Sequence, residues 1–472
     1  MSLYSVNPPI FSLDDLSEES RIIATPWSRM VRGIGLGQNP VGYESTADRL
    51  ITRSINLLYA KVGEADSYTN FSFVLVNAIL SVVRSGLKKG YNNFDIFKVI
   101  TAFRKIENPY FRAIAGTIIL DSIAKLNINN HMENIINDLA CEILKAVDEI
   151  QPDAIHDENQ GRHGDYERVS AYTAVFFSFR RIGISHLLNH DGRDRVLEAL
   201  SSLKNVPTPF FCGRGGSMLI ASIALIGRED AIEDNYIVEY IFGGMDRVEE
   251  SQLYPAFPSP MSIAFIKIYP LLTMLNAIST LNKSELYLQL GRDRLEEADI
   301  LMNKLSPVEC THMALYYVMG LMNLGLLDKH LPDINSFVEK VVGYWSDINP
   351  GSDYFLSGIA YAYIVQLAYF TGRADLISDN MIDRMVGAFR DLESTSENRA
   401  NRPYPFSYAL NVLAELGLGE VFHTPHPAYD NQEPYDWVIE HLSDGGREES
   451  GRLYMLNHAL ISWALRLREP EC

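Results

Sequence analysis

The sequence predicts an all-α chain of tandem α/α helical hairpins, about nine in number, stacked as an open solenoid or closed into an α/α toroid. Three observations predict it. Glycines recur after apolar runs at Gly86, Gly183, Gly227, Gly325, Gly372 and Gly417, where a left-handed residue ends a helix without steric penalty. The intervals 183 to 227, 325 to 372 and 372 to 417 are 44, 47 and 45 residues, and 227 to 325 is two such periods with a stop expected near Asn276. Amphipathic segments alternate with segments that are apolar nearly all round, as expected for an exposed outer and a sandwiched inner helix. Strand signals are nearly absent: the Asp191-Gly192 and Asp444-Gly445 pairs lie between helical segments instead of alternating runs.

Taken in order, residues 1–44 stand apart as an arm, with Pro8, Pro9, Trp27 and the cluster Gly33, Gly35, Gly37. Residues 45–472 read as one continuous array with a soft lobe boundary near 205–215. Inner helices are expected near 68–86, 109–126, 166–183, 214–226, 260–278, 309–325, 353–371, 404–416 and 451–467, with a further stop near Asn127. Segments 285–305 and 375–393 are the clearest outer helices.

The segment KIENPYFRAIAGTIILDSIAKL at 105–126 resembles a HEAT-like α/α repeat, a class with periods of about 40 to 47 residues. The alternation also resembles the α/α toroid of terpene cyclases, prenyltransferase β-subunits and glycan-active enzymes. The first resemblance implies a surface for a protein or peptide partner, the second a ringed pocket for a small molecule. Asp14, Asp15 and Glu18 spell DDxxE, which resembles the metal motif of class I terpene synthases, although Ser12 and Asp15 also read as a capping box variant.

Sixty acids against 41 Lys and Arg give a net charge of −19, which argues against nucleic acid and anionic lipid as partners. Cys141, Cys212, Cys310 and Cys472 form no CxxC pair, so no zinc cluster or disulfide framework is expected and a cytoplasmic location is the simplest. The first residues lack a basic and then apolar leader, and no membrane span is expected.

The longer outer-to-inner loops gather on one edge, the usual binding edge of such arrays. They carry Arg112, Arg162, Arg168, Arg214, Arg399, Arg402, Arg447 and Arg452 with essentially no Lys, a choice suited to bidentate recognition of carboxylate or phosphate. Tyr254 and Tyr404 add flat apolar surface there, with Tyr110, Tyr166, Phe210, Phe211, Phe257, Tyr354 and Tyr454. Acids in the same loops, among them Asp165, Glu167 and Glu309, allow the alternative that these arginines only tie neighbouring repeats together. His156, Asp157, Glu158, His163 and Asp165 are the densest titratable set, open to acid/base, metal or purely solvated readings. GRGGS at 213–217 is expected to open a helix, where its N–H groups would face an anion. Cys310 beside His312 reads as a nucleophile pair or as a buried thiol.

HExxH, GxSxG, GxGxxG and the class II cyclase acid motif DxDD are absent. No catalytic residue, metal site or cofactor is assigned. The expected function is a non-enzymatic repeat protein that binds a protein or peptide through its inner helices and loop edge. The alternative is a toroid enzyme or binder of an anionic or isoprenoid small molecule.

Overall fold

A computed structural model of the chain describes residues 100–125, 133–152, 155–157, 162–247, 262–348, 356–391 and 424–434, apart from positions 102, 105, 107, 208, 282 and 292, together with 413, 418 and 421. The described chain is all-α except for one short antiparallel pair, Ile155–Asp157 (β1) with Arg162–His163 (β2). The longer helices are α1 Pro109–Lys125, α2 Glu133–Glu149, α3 Gly164–Ile182, α4 Arg195–Asn205, α5 Pro209–Leu225, α6 at 234–246, α7 Ile263–Thr280, α8 Arg294–Met302, α9 Pro307–Asn323, α10 Leu327–His330, α11 Ile334–Gly343, α12 Leu356–Phe370 and α13 Asp379–Asp391. Contacts divide the chain into two compact units. Among the described residues, one holds Leu144–Ile348 and Phe370–Arg373; the other holds those up to Ile143, from 356 to Tyr369 and from Ala374 onward.

Six expected inner helices fall on described residues, as α1, α3, α5, α7, α9 and α12. The arm 1–44, the stops at Gly86, Asn127 and Gly417, and the inner helices near 68–86 and 451–467 lie outside the described residues, as does nearly all of the one near 404–416. Gly183, Gly227, Gly325 and Gly372 are left-handed, with φ from +69° to +83°, and end their helices as the spacing predicts. At three of them the next N–H closes back onto the helix: Ile184 to the Phe179 carbonyl, Arg228 to Ile223 and Leu326 to Leu321. The stop expected near Asn276 is displaced. Asn276 sits inside α7, its amide nitrogen donating to the Leu272 carbonyl and its amide oxygen accepting from Asn323 of α9. The helix runs on to Thr280, and Lys283 N–H closes on Ile278.

Helix starts carry side-chain acceptors for their orphan N–H groups. Asp194 caps α4, Asp293 caps α8, Ser262 caps α7 and Asp333 caps α11. Ser306, Pro307 and Glu309 form a capping box with proline at the first helical position of α9. The single outer helix expected at 285–305 is instead broken: a 3₁₀ segment Ser284–Gly291 precedes α8, because Asp293 restarts the helix. The same break separates Ser185–Gly192 from α4 at Asp194.

Helices α3, α5, α7 and α9 pack in succession. Between α7 and α9 the register is constant. Phe265 meets His312, Tyr269 meets Tyr316 and Asn276 meets Asn323, each 47 positions on, so the two helices run parallel one repeat apart. The GRGGS segment does not open a helix, because α5 begins earlier, at Pro209. Its glycines serve packing instead: a Cβ on Gly213 would stand 2.7 Å from Pro270 Cβ of α7, and one on Gly216 would stand 3.0 Å from Ile241 of α6. Orphan backbone N–H groups of a helix N-terminus are therefore not what that segment offers.

Ion pairs lace the outer layer of this unit repeat by repeat. Arg195, at the first position of α4, is 2% exposed and reaches Asp148 of α2 at 2.5 Å and Glu198 at 3.3 Å. Arg294, at the same position of α8, reaches Asp246 of α6 at 2.7 Å and Glu297 at 2.8 Å. Arg228 reaches Asp194, Lys283 reaches Asp234, and Arg373 reaches Glu339, each from an inner-to-outer turn to the preceding outer helix.

Candidate functional site

Four inner helices carry a continuous aromatic run, from the first turns of α3 and α5 to the second turn of α7 and the third turn of α9. Tyr166 of α3 lies 4.6 Å from Phe211 of α5, ring centre to ring centre. Phe211 meets Phe210 at 5.4 Å, Phe210 meets Tyr269 of α7 at 6.3 Å, and Tyr269 meets Tyr316 of α9 at 5.8 Å. The Arg214 guanidinium stands over the Tyr269 ring at 5.8 Å, a cation–π distance. Tyr166, Phe210, Phe211 and Tyr316 are buried, whereas Arg214 and Tyr269 are half-buried. The close approach that permits this run comes from Gly215, over which the Tyr166 ring lies: a Cβ there would stand 3.3 Å from it.

The sequence candidates distribute unevenly around this run. Asp165, 3% exposed, and half-buried Arg168 sit in the first two turns of α3, and Arg214 lies in the second turn of α5. His312 is buried in α9, its Nδ1 2.9 Å from the Val308 carbonyl and its ring edge-on to Phe265 at 6.2 Å. Arg162 and His163 form β2, pairing with Asp157 and Ile155. Arg112 belongs to the other unit, where its guanidinium donates to the Ile106 carbonyl at 2.8 Å. Tyr254, Arg399, Arg402, Tyr404, Arg447 and Arg452 lie outside the described residues.

Electrostatics argue against the Cys310 nucleophile. Burial pushes its thiol up to about 11, as it does for Cys212, so neither is a thiolate near neutrality. Among the described residues no group of three or more His, Cys, Asp and Glu could hold a metal ion. Nor is any described helix long and apolar enough to cross a membrane. Two polar atoms in the first two turns of α3, the Tyr166 hydroxyl and Arg168 Nε, are buried without a hydrogen-bond partner.

Sequence reasoning passed over Tyr269 and Tyr316, because a helix apolar on all sides gives no sign of which aromatics meet across neighbouring helices. It also passed over Arg195 and Arg294. Their signal is the recurrence of Gly-Arg-Asp-Arg at 192–195 and 291–294, each followed by Glu, at 198 and 297. No family model, curated protein or solved structure matches the chain significantly.

Proposed function

We propose that this chain is a non-enzymatic α-helical repeat protein that binds a protein or peptide partner at its loop edge, gripping a carboxylate or phosphate of that partner. The observation that carries the reading is the half-buried Arg214 guanidinium 5.8 Å over the Tyr269 ring, in the middle of an aromatic run across four inner helices. A guanidinium already held against an aromatic ring has less side-chain freedom to lose when it meets a planar or tetrahedral anion. Aromatic and arginine anchors of this kind dominate binding energy at protein interfaces. The high thiols of Cys212 and Cys310 favour binding over nucleophilic catalysis. A reducing, cytoplasmic setting suits those free thiols.

A second reading, a free anionic or isoprenoid small molecule in the same place, is favoured by the burial of the inner helices. In α9 every residue from Glu309 to Leu321 is buried, and in α3 every residue from Gly164 to Phe179 except Arg168. An extended peptide finds no free face along them, whereas a compact ligand needs only their N-terminal ends. The test is retention of proteins from a cell extract by the immobilised chain, compared across Arg214→Ala, Arg214→Lys and Arg193→Ala, with melting temperatures alongside. Partner loss in both Arg214 variants and retention by the Arg193 variant is expected. Full retention by Arg214→Ala at an unchanged melting temperature removes the reading. A melting temperature raised by small acids, with no retained protein, transfers the site to the second.

A further inference from the structure

In the compact unit that holds α13, a short segment is strapped onto that helix. The segment closes on itself: the Gln432 carbonyl accepts the His426 N–H at 3.0 Å, and the His426 carbonyl accepts the N–H groups of Tyr429 and Asn431 at 2.9 and 3.2 Å. The chain turns back there because Asp430 and Asn431 are left-handed, with φ of +57° and +63°, a conformation these two residue types tolerate. Asp383, Val386 and Gly387 share one face of α13 and meet the strap at three points. The hydroxyl of fully buried Tyr429 donates to the Val386 carbonyl at 2.6 Å. His426 Nε2 lies 3.1 Å from Asp383 Oδ1, and the same ring covers Gly387, where a Cβ would stand 3.4 Å from it.

The other ring nitrogen makes this strap sensitive to protons. His426 Nδ1 accepts the Ala428 N–H at 3.1 Å and so caps the 3₁₀ turn Pro427–Tyr429. Only an unprotonated nitrogen accepts, so the neutral ring carries its hydrogen on Nε2, on the Asp383 side. A second proton has to sit on Nδ1, where it meets an N–H instead of a lone pair, and the cap is lost. Asp383 favours the charged ring and opposes that loss, but weakly. Its side chain is 65% exposed and Nε2 is not aligned on it as a hydrogen bond, whereas the histidine side chain is 13% exposed. Of the other charged groups, Asp379 and Arg384 of α13 are exposed to solvent, and Asp430 and Glu433 of the strap have interactions of their own. We propose that His426 is a pH-sensitive latch: neutral, it holds the strap on α13, and protonated, it releases the strap and uncovers Tyr429 and the α13 face beneath.

The experiment follows amide hydrogen exchange of the full chain by mass spectrometry at pH 7.5 and pH 5.0, corrected for the intrinsic pH dependence of exchange. That interval crosses the ordinary histidine value of about 6.5 and stays above the ordinary carboxylate values. Expected is about tenfold less protection of the strap at pH 5.0, the worth of one hydrogen bond, with α9 unchanged. His426→Asn, whose side-chain oxygen caps the same N–H without titrating, should hold the strap at both pH values, and His426→Ala should lose it at both. Asp383→Asn should deepen the acid loss, because it removes the group that opposes release. Equal wild-type protection at the two pH values, full protection in His426→Ala at pH 7.5, or an acid loss of wild-type size in His426→Asn overturns the latch. An acid loss made smaller by Asp383→Asn does the same. Should His426→Asn lose protection at both pH values, nitrogen-15 NMR of the His426 ring in the wild type decides: a proton on Nε2 at pH 7.5 supports the latch, and one on Nδ1 overturns it.

Discussion

The Glu309 carboxylate closes two helices at once: Oε1 accepts the backbone N–H of Ser262 at 2.6 Å, at the N-cap of α7, while Oε2 accepts the N–H and the hydroxyl of Ser306 at the N-cap of its own helix, each at 2.9 Å. The bond from Ser262 N–H to Glu309 spans 47 positions, the same offset that relates Phe265 to His312. One side chain therefore holds consecutive inner helices in register at the loop edge. Glu309→Ala should lower unfolding free energy by about 3 kcal/mol, because it removes a cap and strands a second, part-buried N–H. Glu309→Gln, which keeps an acceptor, should lose less than half of that. Denaturant melts check both, and a loss under about 0.5 kcal/mol in Glu309→Ala would show the bridge to be idle.

Arg195 and Arg294 occupy equivalent places two repeats apart, each nearly buried and each reaching back to an aspartate of the preceding outer helix. Removing a buried cation leaves carboxylates facing one another, although Asp148 and Asp246 are about a quarter to a third exposed and solvent relieves part of the cost. Arg195→Met and Arg294→Met should each cost about 2 kcal/mol. The second expectation is that Arg195→Met and Asp148→Asn together cost less than the sum of the two alone. A strictly additive double-mutant cycle would break the claim that the pair is coupled.

Acid should loosen the same layer. For Glu198, burial raises the pKa but is outweighed by hydrogen bonds from Arg193 and Tyr172, which hold it below its ordinary value of 4.5. For Asp194, burial is likewise outweighed, here by Arg228 and the capped N–H groups of Leu197 and Val196, so it lies below 3.8. A folded-state pKa below the unfolded one means stability that is fully present above the ordinary value and lost as pH falls through the depressed one. The wild type should therefore lose stability progressively below pH 4.5. Arg228→Met should flatten the lower part of that profile, which thermal melts between pH 6 and pH 2.5 would resolve; an unchanged slope would remove Asp194 as a contributor.

The period of this fold is legible because glycine writes it. At Gly183, Gly227, Gly325 and Gly372 the backbone is left-handed, and a Cβ at any of them would meet nothing within 4 Å, so conformation alone selects glycine there. Asn276 misleads for the opposite reason: it is a polar group satisfied inside a helix by a neighbouring repeat, which local sequence does not report. The start of α5 was written too, in Pro209, but the glycines four to seven positions on draw the eye to a turn where the chain needs close approach. At the rim, the arginine choice was legible and its stacking partner was not, since Tyr269 differs from core aromatics only by which face of α7 it occupies.

Those two uses of glycine separate cleanly by mutation. Gly213→Ala places a methyl 2.7 Å from Pro270 Cβ, on backbone held by a proline ring that has no flexible end to swing away. It should destabilise by about 1–3 kcal/mol as an overpacked contact. Gly343→Ala, in α11 with nothing within 4 Å of the new Cβ, should instead stabilise by about 0.5–1 kcal/mol through lost freedom of the unfolded chain. Equal effects of the same sign at the two positions would mean that close packing of α5 against α7 is not what Gly213 provides.

Thiol reactivity tests whether the Cys310 and His312 juxtaposition has any chemical meaning. Alkylation proceeds through the thiolate, and burial holds Cys310 and Cys212 up to about 11, while Cys141 is exposed on α2. In addition, the His312 Nδ1 is engaged with the Val308 carbonyl one turn back, so that nitrogen is not presented to the thiol. With iodoacetamide at pH 8, peptide mass spectrometry should find Cys141 modified at least a hundredfold faster than Cys310 or Cys212, and denaturant should erase the difference. Rapid modification of Cys310 in the native chain, abolished in His312→Ala and in His312→Gln alike, would reinstate a paired nucleophile at the start of α9 and turn the reading of this rim from binding toward catalysis.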